Sequence, residues 1–388
     1  MKLAIIGFGG RITDVLNNVL KIAGERMTVV GWADEQPAPS GLTRFPQAGQ
    51  GFVDHREMLK ILRPDAVMIG SPNHLHLAHI RNSLAAGCKV FSEKPVVITP
   101  EESWEVAELL KQYGQERLIV GLVLRCAPLY RATMAAITDG KIGRPITMEA
   151  NEILGPQHGA FIATDWRRKR EFSGSHILEK CCHDIDLIQA LLGGRLTKIA
   201  SFGGRSIFTP ENRALASAGN YGDWGHGWPK QQNLDPFADD SDITDHQVTC
   251  AEVEGGAKLT FNLNNHGAWG QRRWLICGTK GTWESDLGNG RSRYQGVFGT
   301  AEISDPADAG GGHYGADDQM AKDLVATWLH GVEFPVPTRA AIEAGLAAMG
   351  IDQAQREGRI VDLTPWWAKL DAILGAGAAK APVSSFEA

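Results

Sequence analysis

The first 122 or so residues alternate short apolar runs with stretches of helical periodicity. Leu3–Ile6 is an apolar run closed by Gly7, and Ile12, Val15, Leu16, Val19 and Leu20 then recur at helical spacing. Thr28–Ala33, Ala66–Gly70, Lys89–Ser92 and Leu118–Val123 read as further strands. Met58–Leu62, Leu75–Ala86 and Glu101–Tyr113 read as the helices between them, the second stopped by Gly87. Strands joined by helices at this spacing predict a parallel, doubly wound α/β layer of the Rossmann type.

The pattern then changes. Pro128–Ile137 is predicted helical, Ile146–Ile153 strand-like, and Ser175–Leu192 is the strongest helix of the second half. Lys198–Gly203, Gln247–Val253, Ala257–Asn264, Arg273–Cys277 and Thr282–Ser285 are β-like runs. They predict a mostly antiparallel sheet, hence an α+β unit, with Met320–His330 and Ala340–Glu357 as helices that pack back on the first. The expected division is residues 1–123 and 124–388. Phe208–Asp245 is long and polar yet carries Tyr221, Trp224, Trp228 and Phe237. It reads as an ordered flap or subunit-contact arm, or as a simply mobile loop.

Composition narrows the class. The chain has 388 residues, 43% hydrophobic and 22% charged, and a formal net charge of −6. That argues against a general nucleic-acid binder. No apolar stretch is long enough for a membrane span, and Met1-Lys2 runs directly into the first strand without a cleavable leader. The expectation is a cytoplasmic protein. Six scattered cysteines indicate thiols, not a disulfide framework, and the Cys181-Cys182 pair lacks a second pair for a structural metal.

Three places carry chemistry. Gly7-Phe8-Gly9-Gly10-Arg11-Ile12 joins the first strand to the first helix. The glycines permit a tight turn and close approach of a pyrophosphate to the helix N-terminus. Ile12 stands where Gly or Ala is usual, so helix–strand packing must differ there. Asp34, at the end of the second strand, suits the adenosine ribose hydroxyls and, with Glu35, repels a 2′-phosphate, which predicts NAD over NADP. Glu93-Lys94-Pro95 follows the strand Lys89–Ser92, so the lysine faces the ligand crevice of such a sheet.

With Ser71-Pro72-Asn73-His74-Leu75-His76, Arg125 and Pro128, Trp166-Arg167, His183-Asp184-Ile185-Asp186 and Gly315-Ala316-Asp317, these motifs resemble the Gfo/Idh/MocA family of oxidoreductases over most of the chain. The resemblance implies a Rossmann domain followed by a domain built on a large open sheet. It implies a nicotinamide cofactor, a sugar or cyclitol substrate, and a homodimer or homotetramer. By the same resemblance Ser71, Pro72, Asn73 and His76 lie along the cofactor, Glu93 lies near the nicotinamide ribose, Lys94 is the active-site lysine and His183 the catalytic histidine.

Glu179 stands where many members have Asp. It shares a helix face with His183, at i and i+4, and a carboxylate beside an imidazole can set its tautomer. Lys180, next in line, can serve in its place. Arg125, Trp166, Arg167, His176 and His313 are candidates for holding substrate hydroxyls or an acidic substituent. The expected reaction is hydride transfer between nicotinamide and a secondary alcohol, with His183 or Lys94 as base and the other polarising the oxygen. Two rival readings stand beside it: a glycosidase that retains NAD for transient oxidation and elimination, and a non-catalytic NAD-binding sensor or scaffold.

Overall fold

A computed structural model describes residues 1–218, 235–238, 240–304 and 312–376. The first sheet has the order β3-β2-β1-β4-β5-β6 and is parallel throughout. Its strands are β1 (Lys2–Ile6), β2 (Thr28–Ala33), β3 (Gln50–Phe52), β4 (Ala66–Ile69), β5 (Lys89–Ser92) and β6 (Leu118–Val120). The order reverses between β1 and β4, which opens a crevice at their carboxyl ends. Gly7, Asp34, Ser71 and Glu93-Lys94 all follow strands there. β4 is buried along its whole length, as a strand covered by helices on both faces must be.

Ile12 is accommodated from the far side. A Cβ placed on Gly70 would stand 2.4 Å from the Ile12 Cβ, so the space that the usual small residue leaves on the helix is left here by the strand end.

The second sheet has nine strands in the order β14-β13-β12-β11-β7-β10-β9-β8-β15. They are β7 (Pro145–Ile153), β8 (Leu196–Gly204), β9 (His246–Val253), β10 (Lys258–Asn264), β11 (Gln271–Gly278), β12 (Gly281–Asp286), β13 (Arg291–Gly296), β14 (Ala301–Ser304) and β15 (Val361–Asp362). Every pair is antiparallel except β7 with β10. Burial alternates along β9 and β10, so one face is covered and the other open.

The covering element is the helix His176–Leu192, started by Ser175, whose hydroxyl accepts from the Leu178 amide, and stopped by Gly193 in the left-handed conformation. All its residues except Lys180 are buried. It packs against the helix Thr338–Glu357, which also touches Pro100–Tyr113 and β6 of the first layer. The helix Ala316–His330 packs on Gly10–Ala23. Both helices thus return to the first layer, as predicted.

In the long loop, Phe208 and Phe237 pack together with ring centroids 5.7 Å apart. Tyr221, Trp224 and Trp228 lie outside the described residues, as does most of the tail beyond Gly375.

Candidate active site

A buried helix that carries charged side chains must partner each of them. Along His176–Leu192 this requirement decides the layout. Asp186 accepts a two-pronged hydrogen bond from Arg125, 2.7 Å at its Nε. Arg125, a candidate substrate contact in the sequence, is thus ion-paired with the buried Asp186. Asp184 accepts from Arg272 Nε at 2.8 Å and Nη2 at 3.2 Å. Arg272 also lies 2.6 Å from Glu152, and Lys180 lies 3.3 Å from the same carboxylate. Burial raises Asp184 to about 6 despite the arginine.

Glu179 serves the crevice. Its Oε2 accepts from Asn73 Nδ2 at 3.0 Å, lies 3.5 Å from Lys94 Nζ, and its Oε1 lies 3.5 Å from Arg167 Nε. Lys94 Nζ also donates to the Glu179 backbone carbonyl. Burial opposes the charge on Glu179, but Lys94, Arg167 and Asn73 outweigh it and hold the group below the ordinary carboxylate value. Arg167 in turn stands 4.3 Å from the ring centroids of both Phe161 and Trp166.

His183 differs from its neighbours. It is 5% exposed, and its Nδ1 has no hydrogen-bond partner among the described residues. Sequence reasoning expected Glu179 to set its tautomer. The carboxylate turns instead toward two cations and an amide, because ionic attraction outweighs the weak i,i+4 contact. Burial, with Lys94, Arg272, His313 and Lys180 around it, pushes His183 well below its ordinary value, so it is a neutral imidazole.

His176 is also buried and pushed down to about 4 by burial and Lys180. Its Nδ1 lies 3.5 Å from Asn265 Nδ2, and its Nε2 has no partner among the described residues. His313 Nδ1 is 3.0 Å from Asp317 Oδ2, and its ring centroid lies 6.2 Å from that of His183.

At the glycine turn, Gly7 has φ +74° and its Cβ position is filled by Ser71. No side chain caps the helix Gly10–Ala23, and a Cβ on Gly10 would meet nothing within 4 Å. These free first-turn amides and the open approach fit a dinucleotide pyrophosphate. Asp34 accepts from Phe8 N at 2.8 Å and Gln36 N at 2.9 Å, one bond on each oxygen, which leaves acceptor capacity for ribose hydroxyls.

Arg11 does not point to the pyrophosphate position alone: it donates to Glu93 at 3.1 Å and Asp317 at 2.8 Å. Ser71 Oγ is 2.9 Å from His79 Nδ1, and His76 sits between the Pro95 carbonyl at 2.8 Å and the Ser71 carbonyl at 2.9 Å. Pro72 caps the short turn Asn73–Leu75.

Residues 1–122 match the oxidoreductase family with an NAD-binding Rossmann fold, and residues 130–284 match the GFO/IDH/MocA C-terminal domain. The chain belongs to the Gfo/Idh/MocA family. It is an NAD-binding oxidoreductase of that family. It is 25% identical over 330 residues to YteT of Bacillus subtilis, named only as an oxidoreductase, covering 73% of this chain and 76% of that one. It is 24% identical over 197 residues to inositol 2-dehydrogenase of Burkholderia multivorans, covering 50% of this chain and 55% of the relative.

Among solved structures, scyllo-inositol dehydrogenase of Lactobacillus casei with bound NAD(H) and scyllo-inositol superposes with a TM-score of 0.70 at 20% identity. That match covers 94% of this chain and 99% of the other. Levoglucosan dehydrogenase in complex with NADH and levoglucosan gives a TM-score of 0.74 at 18% identity, with the same coverage. These likenesses establish the fold.

Within this Gfo/Idh/MocA chain, sequence reasoning missed Arg272, Glu152 and Asp317 as site residues. Asp317 stood in a recognised motif. Arg272 and Glu152 carried no local signal, because they meet each other across neighbouring strands and meet Asp184 and Lys180 on the covering helix.

Proposed function

We propose that the protein is an NAD-dependent dehydrogenase that transfers a hydride between nicotinamide and a secondary alcohol or ketone of a sugar, glycoside or cyclitol. The observation that carries this reading is the contrast at the crevice: a lysine paired with a carboxylate, and beside it a buried neutral imidazole. Bound NAD supplies the hydride acceptor. Lys94, paired with Glu179, donates to the reacting oxygen and stabilises developing negative charge. His183, uncharged and with an open nitrogen, takes the hydroxyl proton. Arg167, Trp166 and His176 are the proposed substrate contacts, and Asp34 selects NAD over NADP.

The test is absorbance of reduced nicotinamide with purified protein, NAD and a panel of cyclitols, sugars and glycosides, with released aglycone followed in parallel. Accumulating NADH supports the dehydrogenase. Aglycone release without NADH overturns it in favour of an NAD-retaining glycosidase. Lys94→Ala should lower turnover by roughly 10²–10⁴-fold.

We also propose assembly through the open sheet face. Phe202 on β8 is 75% exposed and Val248, its cross-strand partner on β9, is 48% exposed. Light scattering that finds only monomer would sink this.

A further inference from the structure

Hydride transfer as proposed leaves a proton on a buried imidazole, and something must carry it out. His183 is closed in by Lys94, Arg272, Lys180 and His313. Arg272 cannot give up its proton, and Lys94 and Lys180 are committed to ion pairs with Glu179 and Glu152, so none of them takes the proton on. His313 can take it. Its Nδ1 faces the Asp317 carboxylate at 3.0 Å, and an ionised carboxylate only accepts, so Nδ1 carries the hydrogen and Nε2 is left with a lone pair. The side chain is 35% exposed, so the same ring touches solvent. The ring centroids of the two histidines are 6.2 Å apart, a separation one bridging water can span.

The surroundings hold this ring in place at some cost. His313 and Tyr314 both have positive φ, +49° and +59°, a backbone that non-glycine residues adopt only when the structure imposes it. Asp317 is fixed on its other oxygen by Arg11 Nη2 at 2.8 Å, and Arg11 stands at the start of the first helix beside the glycine turn. A Cβ on Gly312 would stand 2.2 Å from Asp317 Oδ2, so the carboxylate reaches its position only over a glycine.

We propose that His313, oriented by Asp317, relays the proton between His183 and solvent. The inference rests on the dehydrogenase reading above. In the oxidative direction the substrate hydroxyl proton passes to His183, then through water to His313 Nε2, and leaves from that nitrogen to solvent. No redox partner beyond NAD is involved. Arg11, Asp317 and Lys180 are the charged groups facing His313. Burial pushes His313 down to about 4, the same direction in which it pushes His183, so both rings rest neutral.

The experiment has two arms on the full chain. In the first, ring-nitrogen NMR of the NAD-bound protein should show His313 protonated at Nδ1, and Asp317→Asn should disturb that tautomer. A stable Nε2–H form in the wild type overturns the relay. In the second, turnover is measured with NAD and scyllo-inositol, myo-inositol or levoglucosan at rising buffer concentration. His313→Asn, chosen because Asn tolerates positive φ, should lose on the order of tenfold in dilute buffer and regain most of it with added imidazole. KM for NAD should stay unchanged. Full turnover without rescue, or a loss that imidazole does not restore, overturns the relay. No NADH from any of the three probes would instead overturn the dehydrogenase reading, and the spectra would still decide the relay.

Discussion

Two arginines each sit between a pair of carboxylates, and they behave differently. Arg272 holds Glu152 and Asp184 under the second sheet, with side chains 5%, 4% and 6% exposed. Arg11 holds Glu93 and Asp317 where the two layers meet, with side chains 24%, 9% and 12% exposed. In the first group Asp184 rises to about 6, because burial outweighs its arginine. In the second, Asp317 falls far below the usual carboxylate range, because His313 and Arg11 together outweigh burial. Glu93, on the same arginine as Asp317, is raised by burial as Asp184 is, so the added His313 donor is what lets Asp317 keep its charge. The deeper group behaves as a structural brace, and the shallower one joins cofactor turn, helix and imidazole.

The largest expected effect tests the brace. Arg272→Met leaves two buried carboxylates with only Lys180, and should cost about 3–5 kcal/mol in urea unfolding. Arg11→Met should cost less, roughly 1–3 kcal/mol, since its group is partly solvated. Equal losses would break the burial explanation. Gly312→Ala should cost about 1–2 kcal/mol by crowding the Asp317 carboxylate, and should weaken the His313 contact while leaving the second sheet intact.

The smallest effect is one of sign. Asp184 has a folded value above its ordinary 3.8, so its contribution to stability is full below about 4 and is lost as pH rises through about 6. Asp184→Asn should therefore gain on the wild type between those values. Asp317, shifted the other way, contributes at all pH above its ordinary value and loses that contribution only in strong acid. A gap between Asp184→Asn and wild type that does not move with pH would remove the titration from the account.

Five strands of the first sheet were legible because they are mostly apolar runs alternating with amphipathic helices, but β3, Gln-Gly-Phe, is too short and polar to give a signal and was missed. The second was legible only in its middle. The edge strand β14, Ala-Glu-Ile-Ser, and its neighbour β13, Arg-Ser-Arg-Tyr-Gln-Gly, are polar strands whose pairing and not their composition makes them β. The helix Thr364–Leu374 was missed as well, although Pro365 stands at its first turn. Leu118–Val123 was expected as one strand, but β6 stops at Val120 and the chain turns into a short 3-10 segment that places Arg125 opposite Asp186.

At the site, Lys94 and His183 were visible as motif residues. Which way Glu179 would turn was not, because Asn73 and Arg167 reach it from distant segments. Arg272 meets Asp184 across 88 positions of sequence, beyond any periodic signal.

The exchange between Ile12 and Gly70 has a consequence for descent. Ile12 belongs to the glycine fingerprint and Gly70 does not, yet the 2.4 Å approach makes them halves of one fitted joint. A side chain placed at Gly70 would meet Ile12 and the Gly7 carbonyl, so Gly70 cannot change while Ile12 stays. The fingerprint is thus a three-dimensional constraint, and a search keyed to its three glycines alone passes over a chain whose relief lies on the strand end.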